Sequence, residues 1–107
     1  MLPYRVQISE EATEARRRLS AVQDRKLLWW RDRIAQDPTV GDSIRKSLIP
    51  KVLVRQYGVD NLWRLELPEA WRVLYSIAAK PGQEPQVFIL RILTHKEYDR
   101  LFGYATS

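Results

Sequence analysis

Residues 61–77, NLWRLELPEAWRVLYSI, decide the fold, because two runs of alternating side chains lie on either side of one break. In residues 63–67, and again in residues 71–77, large apolar side chains occupy every second position. A period of two is typical of half-buried strands. Pro68 in the break presets φ for a tight turn and cannot donate a hydrogen bond to a sheet. The stretch therefore predicts a β-hairpin with a bulky apolar face.

The other face of this hairpin carries charge. Arg64, Glu66 and Arg72 occupy the alternate positions of the two runs, so they point away from the tryptophans. On the pattern alone, this second face is either a solvated sheet surface or a functional one.

Before the hairpin, the sequence predicts a strand and two helices. Residues 4–8 alternate as a short strand does. Ser9, followed by two acids, predicts the start of a first helix that ends near Leu19. Ser20 opens a capping-box sequence, and the second helix that it starts ends before Pro38. We expect these helices to form an antiparallel pair that covers one face of the sheet.

The segment before the hairpin, residues 39–58, is basic, and we call it the connector. The sequence pattern does not decide its conformation. Residues 51–57 are compatible with a helix and with an extended segment. Within eleven positions of the connector there are four cations and no acid. The four cations are Arg45, Lys46, Lys51 and Arg55.

After the hairpin, residues 86–93, QVFILRIL, are mostly apolar and predict a central strand buried on both faces. Thr94 is placed to cap a last helix over residues 95–102, which Gly103 ends. The whole order predicts an α+β fold. A small, twisted, largely antiparallel sheet of about four strands would carry the N-terminal helix pair on one face, with a short C-terminal helix beside it.

Composition bounds the class of protein. The chain has 107 residues, enough for a single domain, and its 18 Lys plus Arg against 13 Asp plus Glu give a net charge of +5. This charge suits a partner rich in phosphate or carboxylate. With no cysteine and one histidine, disulfides are excluded and a zinc site is disfavoured. The sequence shows neither a secretion signal nor an apolar run of ~20 residues, so we expect a soluble cytoplasmic protein.

The remaining polar residues suit metal-free cleavage of RNA. Such a reaction needs a base for the 2′-hydroxyl proton, cations for the charge on the phosphorane and an acid for the leaving 5′-oxygen. Arginine suits the second role and histidine either proton transfer. Arg72 and His95 would lie where a sheet face meets the start of a helix, although a lone histidine in that place is more often structural.

The run WRLELPEAWRVLYSI, preceded by GDSIRKSLIPK and followed by ILRILTHKEYDRLFGY, resembles the RelE/ParE superfamily of type II toxin-antitoxin toxins. The resemblance is closest to the RelE-like branch of the superfamily, the mRNA interferases. It implies that residues 1–107 form one toxin domain with a RelE-like fold. It implies a cytoplasmic toxin that inhibits translation by cutting messenger RNA in the ribosomal A site. It also implies that no metal or cofactor is used and that a cognate antitoxin protein holds the toxin inactive.

The resemblance also implies roles for single residues. Arg72 matches the arginine that contacts the scissile phosphate, and His95 matches a histidine used in acid-base catalysis. Tyr98 or Tyr104 would supply an aromatic hydroxyl; of the two, Tyr98 is the predicted catalytic residue. The predicted RNA-binding set is Lys46, Lys51, Arg55, Arg64, Lys96, Arg100 and Tyr104.

Departures from the family pattern leave the general base open. Some members use a glutamate in the connector, where Asp42 is the nearest acid in this chain, and others use lysines on the hairpin's first strand, where this chain has arginine and glutamate. The candidates are His95, then Lys51, then Glu66, which is equally a structural partner for a neighbouring arginine.

Two further functions are compatible with the same scaffold. One is ParE-like inhibition of DNA gyrase without cleavage, and the other is a catalytically inactive relative that only binds its antitoxin. Trp29 and Trp30 are adjacent on a predicted helix, so both cannot point inward. We therefore expect one of them to be exposed and available for an antitoxin contact.

Overall fold

Five strands form one sheet, which a computed structural model describes within residues 3–103. The strands are β1 (Arg5–Ile8), β2 (Asp42–Ser43), β3 (Trp63–Leu67), β4 (Trp71–Ala78) and β5 (Gln86–Leu93). Their order across the sheet is β1-β5-β4-β3-β2, with β1 parallel to β5 and all other neighbours antiparallel. The four strands expected from the sequence are all present. The fifth is the two-residue β2 in the connector, too short to leave a periodic pattern.

The predicted hairpin is confirmed. β3 and β4 are antiparallel, with Leu67 opposite Trp71 and Glu66 opposite Arg72. Between them, Pro68–Ala70 forms a tight turn in which Glu69 and Ala70 both have a positive φ, 64° and 61°. The proline thus sits in the turn, where its missing N–H costs no sheet hydrogen bond.

Four α-helices accompany the sheet: α1 (Glu10–Arg16), α2 (Ala21–Gln36), α3 (Lys51–Tyr57) and α4 (His95–Phe102). The Ser9 hydroxyl caps α1 by accepting from the Ala12 amide, and a reciprocal Ser20–Gln23 capping box starts α2. The first helix was expected to reach Leu19; it ends at Arg16, because the next residues turn the chain directly into the Ser20 cap.

One face of the sheet, which we call the helix-pair face, packs against α1 and α2. Its core is formed by alternate residues of β3, β4 and β5 together with apolar residues of the two helices. The fully or almost fully buried members are Ala12, Leu27, Ile34, Leu65, Leu67, Val73, Tyr75, Val87, Ile89 and Ile92. This is the apolar face that the hairpin pattern predicted.

The opposite face is partly covered, which the sequence did not reveal. The connector folds back as α3, and α3 and α4 enclose a second cluster formed by Ile49, Leu53, Leu62, Leu74, Leu90 and Tyr98. Leu74 and Ser76 are therefore buried rather than solvated. Of the two conformations open for residues 51–57, the helix is the one adopted. The charged residues of the hairpin lie beside this second cluster.

Candidate functional site

Three arginines from three neighbouring strands share the opposite face of the sheet, and we call them the arginine cluster. Arg64 of β3 lies opposite Leu74 of β4, which in turn lies opposite Arg91 of β5. Arg72, two residues before Leu74, points to the same side because side chains alternate along a strand. The strand register therefore places the two predicted arginines, Arg64 and Arg72, on the same face as a third that was not predicted.

Tyr98 of α4 contacts both predicted arginines. Its hydroxyl accepts a hydrogen bond from Nη1 of Arg64 at 3.2 Å. The Cζ atoms of Arg64 and Arg72 lie 5.8 and 5.6 Å from the centre of the Tyr98 ring, within the range of cation–π attraction. Tyr98 is only 5% exposed. A capping box between Thr94 and Glu97 fixes the start of α4 and so the position of this ring.

Two exposed carboxylates lie beside these arginines. Oδ2 of Asp42 is 3.3 Å from Nη2 of Arg64, and Oε1 of Glu66 is 3.8 Å from Nε of Arg72. The hydrogen bond with Tyr98, helped by the one with Asp42, raises the pKa of Arg64 although burial opposes this. Because both carboxylates are exposed, separating them from the arginines costs little. A more highly charged anion could therefore displace them.

Among the described residues, three hydrogen-bond donors of the arginine cluster have no acceptor. Within residues 3–103, the Nε atoms of Arg64, Arg72 and Arg91 are buried without an acceptor in hydrogen-bonding range. Nη1 of Arg72 is held by the backbone oxygen of Ala70 at 2.8 Å. Buried polar groups of folded proteins are normally paired, so three unpaired donors on one face need an explanation. Because these Nε atoms are also shielded from solvent, an anion with several oxygens, such as a phosphate, would reach Arg64 and Arg72 through the parts of their side chains that remain exposed.

His95 is the first residue of α4, two positions after Leu93, which lies opposite Arg72 in the sheet. Its Nε2 lies 3.2 Å from Oδ2 of Asp99, one helical turn further on. Asp99 is mostly buried whereas His95 is exposed, so the carboxylate can orient the ring towards solvent. Within the described residues, no hydrogen bond or ion pair joins His95 to Arg64 or Arg72.

The other predicted RNA-binding residues are dispersed over the surface. Lys46 lies in a 3-10 turn, Lys51 and Arg55 on α3, and Lys96 and Arg100 on α4; all five are exposed. None of the five forms an ion pair with another residue of the part of the chain that the structure describes. Tyr104 lies outside the described residues.

Arg91 was not identified as a candidate from the sequence. Its Nη2 donates to Oε1 of Gln56 at 2.5 Å, and its Cζ lies 5.6 Å from the ring of Tyr57, so α3 holds it in place. The available signal was that Arg91 is the one charged residue in the apolar run of residues 86–93. A charge in a strand buried on both faces needs a partner or a function.

Two negative observations concern the described residues only. Between residues 3 and 103, no three His, Asp or Glu side chains are grouped so that they could hold a metal ion. In the same range, no helix has both the length and the apolar character needed to cross a membrane.

Comparisons with known proteins identify the fold. No protein-family model and no curated protein sequence matches the chain. A chain of the archaeal RelE-RelB complex from Pyrococcus horikoshii OT3 superposes with a TM-score of 0.64 and 21% identity, over 88% of this chain and 97% of that chain. The E. coli toxin RelE, as a mutant with two arginines replaced by alanine in the free state, gives 0.63 and 14% over 97% and 95%. The chain therefore has a RelE-like fold, as its sequence resemblance implied.

Proposed function

We propose that this chain is the toxin of a type II toxin-antitoxin system, and that it cuts messenger RNA in the ribosomal A site of the cytoplasm without a metal ion or cofactor. A cognate antitoxin would hold it inactive. The observation that carries the proposal is the arrangement of Arg64 and Arg72 around Tyr98 on a RelE-like sheet.

The chemistry needs no group that the chain lacks. The ribose O2′ attacks the adjacent phosphorus and gives its proton to a base; the bond from phosphorus to O5′ breaks, and O5′ takes a proton from an acid. The products are a 2′,3′-cyclic phosphate and a 5′-hydroxyl. Negative charge grows on the phosphoryl oxygens during the attack, so cations fixed in advance beside them lower the barrier.

Arg72 is our candidate for the main contact with that charge. Its guanidinium is held by the Ala70 carbonyl, and its carboxylate neighbour, Glu66, is exposed and 3.8 Å away. A planar guanidinium can bind two phosphate oxygens at once, which lysine cannot. Removing one such donor from a preorganised site typically lowers the rate about 10²- to 10³-fold.

His95 is our first candidate for proton transfer. If Nε2 donates to Asp99, then Nδ1 is the nitrogen that exchanges a proton with substrate. Lys51 and Glu66 follow as alternative bases. Glu66 is the weaker of these on geometry, because it is engaged with Arg72.

For Tyr98 we propose a positioning role in place of direct contact with substrate. The ring is almost fully buried, and its hydroxyl holds Arg64. Replacing Tyr98 by Phe would keep the ring between the guanidinium groups but remove that hydrogen bond, which is worth about 1 kcal/mol or roughly a fivefold change in rate. Replacing it by Ala would free both arginines but also leave a void in the second apolar cluster, so the Phe variant is the one that separates positioning from folding.

The dispersed cations would follow the RNA backbone outside the reacting phosphate. Lys46, Lys51, Arg55, Lys96 and Arg100 are exposed and not neutralised within the described chain. Contacts of this kind add affinity without sequence preference and weaken as salt concentration rises.

The test is primer extension on cellular messenger RNA after brief induction of the chain. We expect cuts inside translated codons for the wild type and for Arg5→Ala, a control on the exposed edge strand β1. We expect no cuts for Arg72→Ala or His95→Ala, with circular dichroism showing that both variants fold. Growth arrest with DNA damage but intact RNA would replace the proposal with gyrase inhibition. A folded wild-type chain without growth arrest would indicate a relative that only binds its antitoxin.

A further inference from the structure

The outer side of α2 carries a tryptophan held between two cations. Trp29 is 43% exposed; Nζ of Lys26 lies 3.8 Å and Cζ of Arg33 lies 4.5 Å from the centre of its ring. Val22, also exposed, extends the row by about one helical turn, because residues three, four and seven apart share one side of a helix. We call Val22, Lys26, Trp29 and Arg33 the α2 stripe.

The α2 stripe is preorganised. The ring of Trp29 packs against Trp30 with centroids 4.8 Å apart and planes at 72°, the edge-to-face arrangement that aromatic pairs favour. Trp30 is fixed in turn, since its Nε1 donates to the backbone oxygen of Glu66 on β3 at 3.0 Å. Side chains that are already ordered lose less conformational entropy when a partner binds. A rigid tryptophan beside arginine is also the composition typical of binding hot spots.

The positive charge of the stripe is not neutralised by the described part of the chain. Neither Lys26 nor Arg33 has a carboxylate within 4 Å among residues 3–103. The two aspartates of α2 pair with arginines outside the stripe, Asp24 with Arg16 at 2.6 Å and Asp32 with Arg31 at 3.8 Å. The stripe therefore offers apolar area and two available cations to a partner that carries carboxylates.

Its position and its ring geometry favour a protein over RNA. α2 packs on the helix-pair face, so the sheet separates the stripe from the arginine cluster. Stacking of a nucleic-acid base needs a whole open face of the Trp29 ring, and Lys26 lies over one face at 3.8 Å, whereas an aliphatic side chain needs only part of the exposed ring.

We propose that the α2 stripe docks an acidic amphipathic helix of a partner protein, which under the proposed function is the antitoxin. Lys26 and Arg33 are seven residues apart, or about 10 Å along the helix axis. A helix lying along α2 would therefore carry carboxylates at positions i and i+7 and an apolar residue between them at i+3 or i+4. The carboxylates pair with the two cations, and the apolar residue packs on Trp29.

The test uses a synthetic helical peptide of about 21 residues with Glu at i and i+7 and Leu at i+3, and a second peptide in which both Glu are Gln. Binding is followed by NMR through the tryptophan indole N–H signals. We expect the Trp29 signal to move with the Glu peptide, while that of Trp30, held by Glu66, moves less. The Gln peptide is expected to bind about tenfold more weakly, since losing two ion pairs with an ordered partner removes about 1.4 kcal/mol.

The matched variants are the double reversals Lys26→Glu/Arg33→Glu in the stripe and Arg25→Glu/Arg31→Glu outside it. Both change the net charge of the same helix by the same amount; Arg25, Arg31 and Arg33 are exposed, and Lys26 is half-buried. We expect the first pair to weaken binding of the Glu peptide about tenfold more than the second pair does.

Four results would overturn the proposal: an equal loss in the two double variants, no binding of the Glu peptide at millimolar concentration, movement of the Trp29 signal with an RNA oligonucleotide, or movement of that signal with protein concentration alone. The third would assign the stripe to nucleic acid and the fourth to a second copy of this chain. No step of the test involves RNA cleavage, so its outcome is independent of whether the chain is a nuclease.

Discussion

The helix-pair face and the opposite face are made by alternate residues of the same strands, yet they are covered differently. On the helix-pair face, Leu65, Val73 and Tyr75 are buried beneath helices α1 and α2. On the opposite face, Leu74 is equally buried, but Arg64 and Arg72 beside it keep 31% and 16% of their side chains exposed. One strand thus supplies core on one side and a charged site on the other.

The difference shows how a small chain can hold a cluster of like charges rigidly. The strands that carry the arginines cannot shift without disturbing the core behind them, because interiors are close-packed. The second apolar cluster, which includes Leu74 and Tyr98, fixes the arginines from their own side. We expect the buried residues of both faces to stabilise the fold, and the arginines of the opposite face to contribute little to the free energy of unfolding.

The largest effect is expected from cavities in either core. Leu74→Ala on the opposite face and Leu65→Ala on the helix-pair face should each lower the free energy of unfolding by about 2–5 kcal/mol, because both side chains are buried and leave a void. Urea denaturation followed by circular dichroism measures this. A loss below about 1 kcal/mol for Leu74→Ala alone would show that the opposite face is a solvated surface, the alternative that the sequence left open.

The next effect concerns the buried hydroxyl of Tyr75, on the helix-pair face. It donates to the Pro38 oxygen at 2.5 Å and accepts from the Gly41 amide at 3.1 Å. Tyr75→Phe leaves both backbone groups without this partner, which should cost about 1–3 kcal/mol at neutral pH. Urea denaturation at pH 7 measures the loss, and an unchanged midpoint would show that water replaces the hydroxyl.

The same tyrosine gives a pH dependence. Burial raises the pKa of Tyr75 to about 12 from 10.0, although the Gly41 hydrogen bond opposes it. A group whose pKa is higher in the folded state contributes stability that is complete below pH 10 and is lost as pH rises towards 12. We therefore expect stability to fall over this window in the wild type and to fall less steeply in Tyr75→Phe. Parallel curves for the two proteins would contradict this assignment.

Periodicity explains why the helix-pair face could be predicted. The alternation in residues 63–67 and 71–77 has one strongly apolar side, and the caps at Ser9 and Ser20 mark where the covering helices begin. These are local signals, read within one helical turn or one strand. The hairpin, the helix pair and the apolar face follow from them.

The opposite face depends on contacts between residues distant in the chain. Whether Leu74 is buried depends on the connector folding back as α3, and residues 51–57 fit helix and strand equally well by pattern. Arg91 joins the arginine cluster only through the register of three strands. The sequence therefore predicted single members of the candidate site, Arg64, Arg72 and Tyr98, but not that they contact one another.

A smaller effect is expected from the ion pair that links the two N-terminal helices. The hydrogen bond from Arg16 lowers the pKa of Asp24 below 3.8, against a weaker opposing effect of burial. This contributes stability above pH 3.8 that is lost as pH falls through the lower folded-state value. Because the pair is partly exposed, Asp24→Asn should cost about 0.2–1 kcal/mol at pH 7 and flatten the acid limb of the stability curve. An acid limb as steep as in the wild type would assign it to other carboxylates.

The smallest change in stability is expected for Arg72→Ala, the variant for which we expect the largest loss of activity. Arg72→Ala removes one hydrogen bond to Ala70, a long ion pair with Glu66 and the contact with the Tyr98 ring, but it also removes a buried unpaired Nε. These contributions oppose each other, so the free energy of unfolding should stay within about 0.5 kcal/mol of the wild type. A loss above 2 kcal/mol in urea denaturation would make Arg72 a structural residue. An unchanged stability with abolished cleavage would show that Arg72 acts on the RNA, because a variant that folds as stably as the wild type loses activity only through the contacts that its side chain makes outside the fold.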